Sequence, residues 1–142
     1  MPLIDETTIR KIIVDGDNSA LNEAAEQIGK ELAREYRLTT SQIRGIFGTV
    51  RQIEMDWLRP DRSEQAADAA ERERRALREL TLLKPRMAYQ AARDRGRGVE
   101  ELRQVLAPAI DLIANDRQRF KNFVDFFEAI LAYHRAAGGR DN

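Results

Sequence analysis

The sequence predicts an all-α fold, a compact helical bundle of about five to seven helices with no sheet. Two observations support this prediction. Ala, Glu, Arg, Leu and Gln dominate the composition, and no stretch alternates apolar and polar residues for long. Apolar residues instead recur three and four positions apart, between helix caps and proline or glycine breaks. With 142 residues, the chain is expected to form a single helical domain over residues 1–142.

Two helices are predicted at the amino-terminal end of the chain. The first covers residues 8–14 and stops at the turn sequence Asp-Gly-Asp. The second begins after a cap at Asn18 or Ser19 and ends near Arg37. Its apolar residues fall at helical spacing, so one face of this helix is expected to be buried.

The third predicted helix opens with a capping box, in which the side chains of Thr39 and Gln42 each bond a backbone N–H of the other residue. Pro60 is expected to end this helix. The helix that restarts at residues 61–63 is charged and rich in alanine up to about residue 78. Because this segment has little apolar bulk, we expect it to project into solvent or to be mobile.

Proline and glycine divide the rest of the chain. Pro85 either kinks a helix that has an apolar face from Leu77 onward or occupies the first turn of a new helix ending near Arg95. Two more helices are predicted over residues 99–114 and 118–136. The last helix is apolar around more than one face, which is typical of a bundle centre or a subunit interface.

The side chains needed for chemistry are few. There is no cysteine, and His134, the one histidine, lies near the end of an apolar helix, where a packing or helix-terminal role is expected. Phosphate-binding glycine motifs are absent from the sequence. We therefore expect no enzyme active site, no cofactor and no metal. The first residues lack a signal-peptide pattern and no apolar run is long enough to span a bilayer, so a cytoplasmic location without membrane association is expected.

Charge is balanced overall but unevenly distributed. The 24 basic and 24 acidic residues give a net charge of zero. Residues 1–36 nevertheless carry four bases and eight acids, whereas residues 84–97 carry five bases and one acid. A neutral chain does not bind a polyanion through bulk charge, so contact with nucleic acid would require a segregated basic surface.

One helical face combines basic and aromatic side chains. Helical spacing places five residues on it, while Leu83, Met87 and Ala91 face inward. Guanidinium groups can bind phosphates through two hydrogen bonds, and a tyrosine can stack or donate a hydrogen bond. The five residues are Arg86, Tyr89, Gln90, Arg93 and Arg97.

A second basic stripe is predicted on the third helix, at Arg44 and Arg51. Gly45 and Gly48 lie beside it and suggest the close approach of another chain. The alternative interpretation of both basic faces is that their arginines are solvated or paired with glutamates.

Three blocks of sequence, LTTSQIR at 38–44, LKPRMAYQAAR at 83–93 and FVDFFEAILAYHR at 123–135, resemble the small subunit of the type III-A CRISPR–Cas effector, the Csm complex. Their order and spacing agree with that family. The family often has glycine where this chain has Ala92 and lysine where it has Arg135.

The resemblance implies a non-catalytic, all-helical structural subunit that acts in antiviral defence. Several copies would stack along the guide CRISPR RNA and the target RNA paired with it, beside the backbone and large subunits, and would stabilise bound target through phosphate-backbone contacts. The expected RNA contacts are Arg44, Arg51, Lys84, Arg86 and Arg93, with Gln42, Tyr89 and Lys121 as further candidates. Contacts between copies are expected at Phe120, Phe123, Phe127 and Tyr133.

Two other functions are compatible with the sequence. A helical protein–protein adaptor or regulator would use the last helix as its binding surface and would not bind nucleic acid. A helix-turn-helix DNA-binding protein is less well supported, because residues 43–50 lack a convincing partner helix and short turn.

Overall fold

The computed structural model describes residues 3–58 and 66–139. Within these ranges the chain forms six α-helices and no strand, which confirms the predicted all-α bundle and its number of helices. None of these helices is long and apolar enough to cross a membrane. The helices are α1 (Glu6–Ile13), α2 (Asn18–Arg34), α3 (Thr40–Trp57), α4 (Ala66–Arg93), α5 (Gly98–Ile113) and α6 (Arg117–Ala136).

Side-chain caps fix the beginnings of the helices. The predicted capping box of α3 is confirmed, because the Thr39 N–H donates to Gln42 Oε1 at 3.0 Å and the Gln42 N–H donates to Thr39 Oγ1 at 3.1 Å. The cap of α2 is neither Asn18 nor Ser19, as predicted, but the residue before them. Asp17 accepts the hydrogen bond of the Ala20 N–H at 3.0 Å, and Asn18 is already helical.

Helix α4 continues through Pro85, so the proline lies inside a single helix of 28 residues and does not begin a new one, as one of the two predicted alternatives had it. Pro85 is exposed. Its missing N–H would have bonded the carbonyl of Thr81, which is also exposed and is therefore accessible to water. Because both groups face solvent, the helix loses one hydrogen bond without burying an unsatisfied polar group.

Part of the charged segment 61–78 belongs to α4. The predicted helix end at Pro60 and restart at residues 61–63 lie outside the described residues. From Ala66 onward the chain is helical, and residues 68–70 are exposed. Arg72 and Glu73 are half-buried, and Ala76, at 2% exposed, is the first described residue of α4 that is buried. The first turns of α4 are thus helical and solvent-facing.

One continuous cluster of buried side chains joins all six helices, and α6 lies at its centre, against α1, α2, α3 and α5. Aromatic contacts attach α3 to α6. The ring of Phe120 lies 4.8 Å from that of Trp57, and the ring of Phe127 meets Phe47 edge-on at 5.1 Å. Four phenylalanines of α6 are 0% exposed: Phe120, Phe123, Phe126 and Phe127.

This burial corrects three of the predicted interface residues. Phe120, Phe123 and Phe127 have no exposed surface left for a neighbouring copy, so they belong to the core of their own chain. The sequence could not distinguish the two roles, because both require a strongly apolar helix. Tyr133 is half-buried, and its hydroxyl donates to Asn22 Oδ1 at 2.6 Å, which ties α6 to α2.

The backbones of α2 and α6 approach each other closely at Gly29. A Cβ added there would lie 2.7 Å from the Tyr133 Cβ, 2.8 Å from the His134 nitrogen and 2.9 Å from the Ile130 oxygen. Real Cβ atoms do not tolerate such contacts with backbone. Gly29 therefore sets the distance between the two helices.

His134 has the packing role that its position predicts. Its ring is 0% exposed, and Nε2 lies 2.6 Å from the carbonyl oxygen of Leu38, to which its N–H donates. Gly139 covers the ring so closely that an added Cβ would lie 2.4 Å from Nδ1. The histidine thus joins the end of α6 to the turn before α3.

The loop between α4 and α5 is held by polar contacts. Gln42 Nε2 donates to Asp94 Oδ1 at 3.3 Å, and Asp94 Oδ2 accepts from the Val99 N–H at 3.4 Å.

The pKa of the Tyr36 phenol is raised above its ordinary value of 10.0. The larger cause is partial desolvation, and the smaller one is the negative charge of the buried Glu101 carboxylate. The phenol therefore stays protonated throughout the neutral pH range.

Two glycine variants are expected to change stability in opposite directions. Gly29→Ala should lower the free energy of unfolding by about 1–3 kcal/mol, because the new methyl group meets the α6 backbone. Gly48→Ala should raise it by about 0.5–1 kcal/mol, because that helical site is exposed and has nothing within 4 Å of the added Cβ. Urea denaturation followed by circular dichroism measures both, and shifts of the same sign would contradict the predicted helix contact.

A pair of glutamine variants tests the capping box. Gln42→Ala should lower the free energy of unfolding by about 1 kcal/mol, since it removes one half of the box and the contact with Asp94. Gln52→Ala makes the same change on the exposed side of α3 and should stay within about 0.5 kcal/mol of the parent. Equal midpoints in urea for the two variants would show that Gln42 does not support the structure.

Candidate nucleic-acid interface

The predicted RNA-contacting residues of α4 lie on two different flanks of the helix. Side chains two positions apart on a helix of 3.6 residues per turn point in directions that differ by about 200°. Arg86 accordingly lines a groove between α3 and α4 together with Gly45, whereas Lys84 lines a groove between α4 and α5 together with Asp111. The structure therefore separates Lys84 from Arg86 and from Arg93, which lies two turns farther along the same flank.

The flank of α4 that faces α3 carries a longer basic surface than the sequence analysis recognised. Five exposed side chains on it are spaced at helical intervals over 18 residues, which corresponds to about 27 Å along the helix axis. We call them the α4 stripe: Arg75, Arg78, Arg86, Tyr89 and Arg93.

Sequence reasoning missed Arg75 and Arg78. Both line a groove against α3, next to Asp56. They were assigned to a projecting segment, and the helix was expected to be interrupted or kinked at Pro85. Their spacings to Arg86, about 3.1 and about 2.2 helical turns, keep both arginines on the same side of the helix and could have revealed the stripe if α4 had been treated as one helix.

Ion pairs hold two of the predicted RNA-contacting cations of α4 in the free chain. Arg86 Nη1 lies 2.9 Å from Glu79 Oε2, and Lys84 Nζ lies 2.5 Å from Asp111 Oδ1. The side chains of both pairs are 38–60% exposed. Exposed ion pairs contribute about 0–1 kcal/mol, so a phosphate can displace these carboxylates at little cost.

The two arginines of α3 differ in their surroundings. Arg51 Nη1 pairs with Glu54 Oε1 at 2.7 Å. Arg44 is exposed and has no hydrogen-bond or ion-pair partner within residues 3–58 and 66–139, and the same holds for Lys121 on α6. Both arginines border α6, because Phe47, which packs on that helix, falls between them at helical spacing.

A low ridge separates the α3 arginines from the α4 stripe. Gly45 and Gly48 form the exposed side of α3 at this point, and an added Cβ at either would have nothing within 4 Å. Within residues 3–58 and 66–139, no close approach of another part of the chain and no positive φ requires glycine at these positions. The approach of another molecule therefore stays a prediction, and a molecule lying there would reach cations on both sides of the ridge.

Tyr89 and Arg93 form a composite flat surface at the end of the stripe. The guanidinium carbon of Arg93 lies 5.6 Å from the centre of the Tyr89 ring, and Nη1 donates to the tyrosine hydroxyl at 2.8 Å. Tyr89 is 65% exposed, an unusual exposure for so large an aromatic side chain. The ring and the guanidinium are thus fixed and accessible together.

The predicted site residues are therefore not all equivalent. Gln42 is occupied by the capping box and by Asp94, so it supports the interface from within the fold.

Across the described ranges, no group of three or more His, Asp or Glu residues could hold a metal ion. Two of the predicted residues, Arg44 and Arg51, lie beside the glycine ridge of α3. Three more, Arg86, Tyr89 and Arg93, belong to the α4 stripe.

Comparison with known proteins assigns the chain to a family. No curated protein and no solved structure matches it. The family model described as Csm2 Type III-A matches residues 15–140, which is the whole chain except its first 14 and last 2 residues. The chain belongs to the Csm2 family, and it is therefore a small subunit of a type III-A CRISPR effector complex.

Proposed function

We propose that this chain is a non-catalytic, RNA-binding structural subunit that acts in antiviral defence in the cytoplasm. Several copies stack along the duplex of guide CRISPR RNA and target RNA and stabilise bound target through its phosphate backbone. The observation that supports this most directly is the α4 stripe, a row of exposed arginines on a chain whose net charge is zero.

The chemistry of the stripe suits phosphate rather than base-specific contact. Arginine offers paired donors that match the oxygens of a phosphate. Contacts with phosphates position a nucleic acid without reading its sequence, which suits a complex whose specificity comes from pairing between guide and target. Arg44 and Arg51 extend the same surface across the glycine ridge, and Lys121 adds a cation on α6.

The proposed partners are the guide CRISPR RNA, the target RNA, further copies of this chain and the backbone and large subunits of the effector. Because Phe120, Phe123 and Phe127 are buried, contacts between copies use other surfaces. Tyr133 is the one predicted interface residue of the four that keeps exposed surface. Lys84 lies on the α5 side of α4 and is available to a different partner strand or subunit.

Affinity purification of the tagged chain from its host tests the proposal. Recovery of a guide RNA together with other effector subunits is the expected result. Recovery of a protein partner in complexes that contain no nucleic acid would instead support the helical adaptor.

Reversing the charge of the stripe should weaken RNA binding. The variant R75E/R86E/R93E is expected to lose at least about tenfold in affinity and to show a smaller salt dependence, by roughly one unit of slope for each phosphate contact removed. Fluorescence anisotropy with a guide–target duplex at several salt concentrations measures both quantities. The control R10E/K11E/R34E makes the same change of charge at exposed sites on α1 and α2. If the two triple variants bound equally well, the assignment of the stripe would be wrong.

Neutralising Glu79 should have the opposite effect. Glu79→Gln releases Arg86 from its ion pair and removes a negative charge from the stripe, so RNA affinity should rise by about two- to fivefold. Glu26→Gln is the matched control, because it releases Lys30 from a 3.2 Å pair on α2, away from the stripe. An equal gain in both variants would reflect net charge alone and would count against a specific role of Arg86.

A further inference from the structure

A groove between α3 and α4 has features that phosphate binding does not explain. It has an open volume of about 500 Å³, within the range of about 300–1,000 Å³ that is common for ligand sites. Its floor is apolar, formed by Ile53 and Ala76, which are 4% and 2% exposed. Polar side chains line its rim on both helices. They are Gln52 and Asp56 on α3 and Arg75 and Arg78 on α4.

The polar groups of the rim are not engaged with one another. Gln52, Asp56, Arg75 and Arg78 are exposed, and within the described residues none makes a hydrogen bond or ion pair. In this they differ from Glu79 at the same groove, whose carboxylate is held by Arg86. Donors and acceptors thus surround an apolar floor and are free to bind a ligand.

We propose that this groove, the Asp56 groove, holds one unpaired nucleobase of RNA that lies along the α4 stripe. This inference rests on the proposed function, since it names what the same surface binds besides phosphate. Bases that are not paired expose both a flat face and a hydrogen-bonding edge, and proteins bind them by covering the face and bonding the edge. Because Ile53 and Ala76 are almost fully buried, the face lies mainly against the exposed side chains of the rim, whose arginine planes can stack on a base and whose polar groups bond its edge.

The composition of the rim suits any of the four bases. Each base offers at least one N–H donor and one acceptor on its pairing edge. The Asp56 carboxylate only accepts, the arginines only donate, and the Gln52 amide does both. The groove therefore holds a base without selecting its identity, in agreement with a subunit that serves many guides.

Asp56 argues against a groove that binds phosphate alone. A carboxylate repels a phosphate, and its presence in the same groove as the two arginines would lower the affinity of such a site. A base edge instead requires an acceptor, while the phosphate of the same nucleotide contacts Arg75 or Arg78 on the stripe. The paired base of an intact duplex has its edge occupied, so the groove distinguishes unpaired from paired nucleotides.

Binding of bulged RNA to the full-length chain tests the groove. The probes are a fully paired RNA duplex, the same duplex with one bulged A, C, G or U, and one with an abasic bulge, all compared by fluorescence anisotropy. The parent chain should bind each of the four bulged duplexes about tenfold more tightly than the paired or the abasic one. The variant Asp56→Ala should lose this preference and should bind the paired duplex at least as tightly as the parent. The control Asp125→Ala, at an exposed site on α6, should keep the preference.

The direction of the Asp56 effect separates the outcomes. If Asp56→Ala tightened binding to every duplex equally, Asp56 would only repel phosphate and the groove inference would be wrong. The same conclusion would follow if the parent chain bound paired, abasic and bulged duplexes equally, although the proposed RNA-binding function would stand. A parent chain that bound none of these duplexes would overturn the proposed function and the inference together.

Discussion

The packing of α6 against its neighbours determines the position of everything else in this protein. Gly29 allows the α2 backbone to meet that of α6, and the phenylalanines of α6 then receive α3 from the other side through Trp57 and Phe47. Helix α4 then packs against both α3, fixed in this way, and α5. The surface between α3 and α4 therefore depends on an aromatic core that is buried inside the chain.

The continuity of α4 converts scattered arginines into one surface. A helix broken at Pro85 would turn Arg75 and Arg78 in directions unrelated to Arg86, but an unbroken helix keeps them in phase. The proline is tolerated because it lies on the solvent side, where the unpaired carbonyl of Thr81 meets water. A single backbone feature thus decides whether the chain has a short basic patch or a stripe of about 27 Å.

Local signals were predictable from sequence, and relations between helices were not. The capping box at Thr39 depends on neighbouring residues alone, and so it was identified correctly. Lys84 and Arg86 are neighbours in sequence, yet only packing against two different helices shows that they face different grooves. The core and interface roles of Phe123 have the same apolar pattern, and only burial by other helices separates them. The spacing of apolar residues could not indicate which complex the chain belongs to, and only the family resemblance predicted a type III-A CRISPR effector.

If the proposed function is right, weak RNA binding by each single copy is an advantage for the assembled complex. Carboxylates pair with Arg86 and Arg51 in the free chain, and the net charge is zero, so we expect a single copy to have little affinity for unrelated RNA. When several copies lie along one duplex, each contact after the first forms at a high effective concentration, and modest affinities multiply. Stronger cations on every copy would add little to the assembled complex but would let free copies bind any RNA. On the proposed function, these ion pairs would therefore favour RNA binding in the assembled complex over binding by free copies.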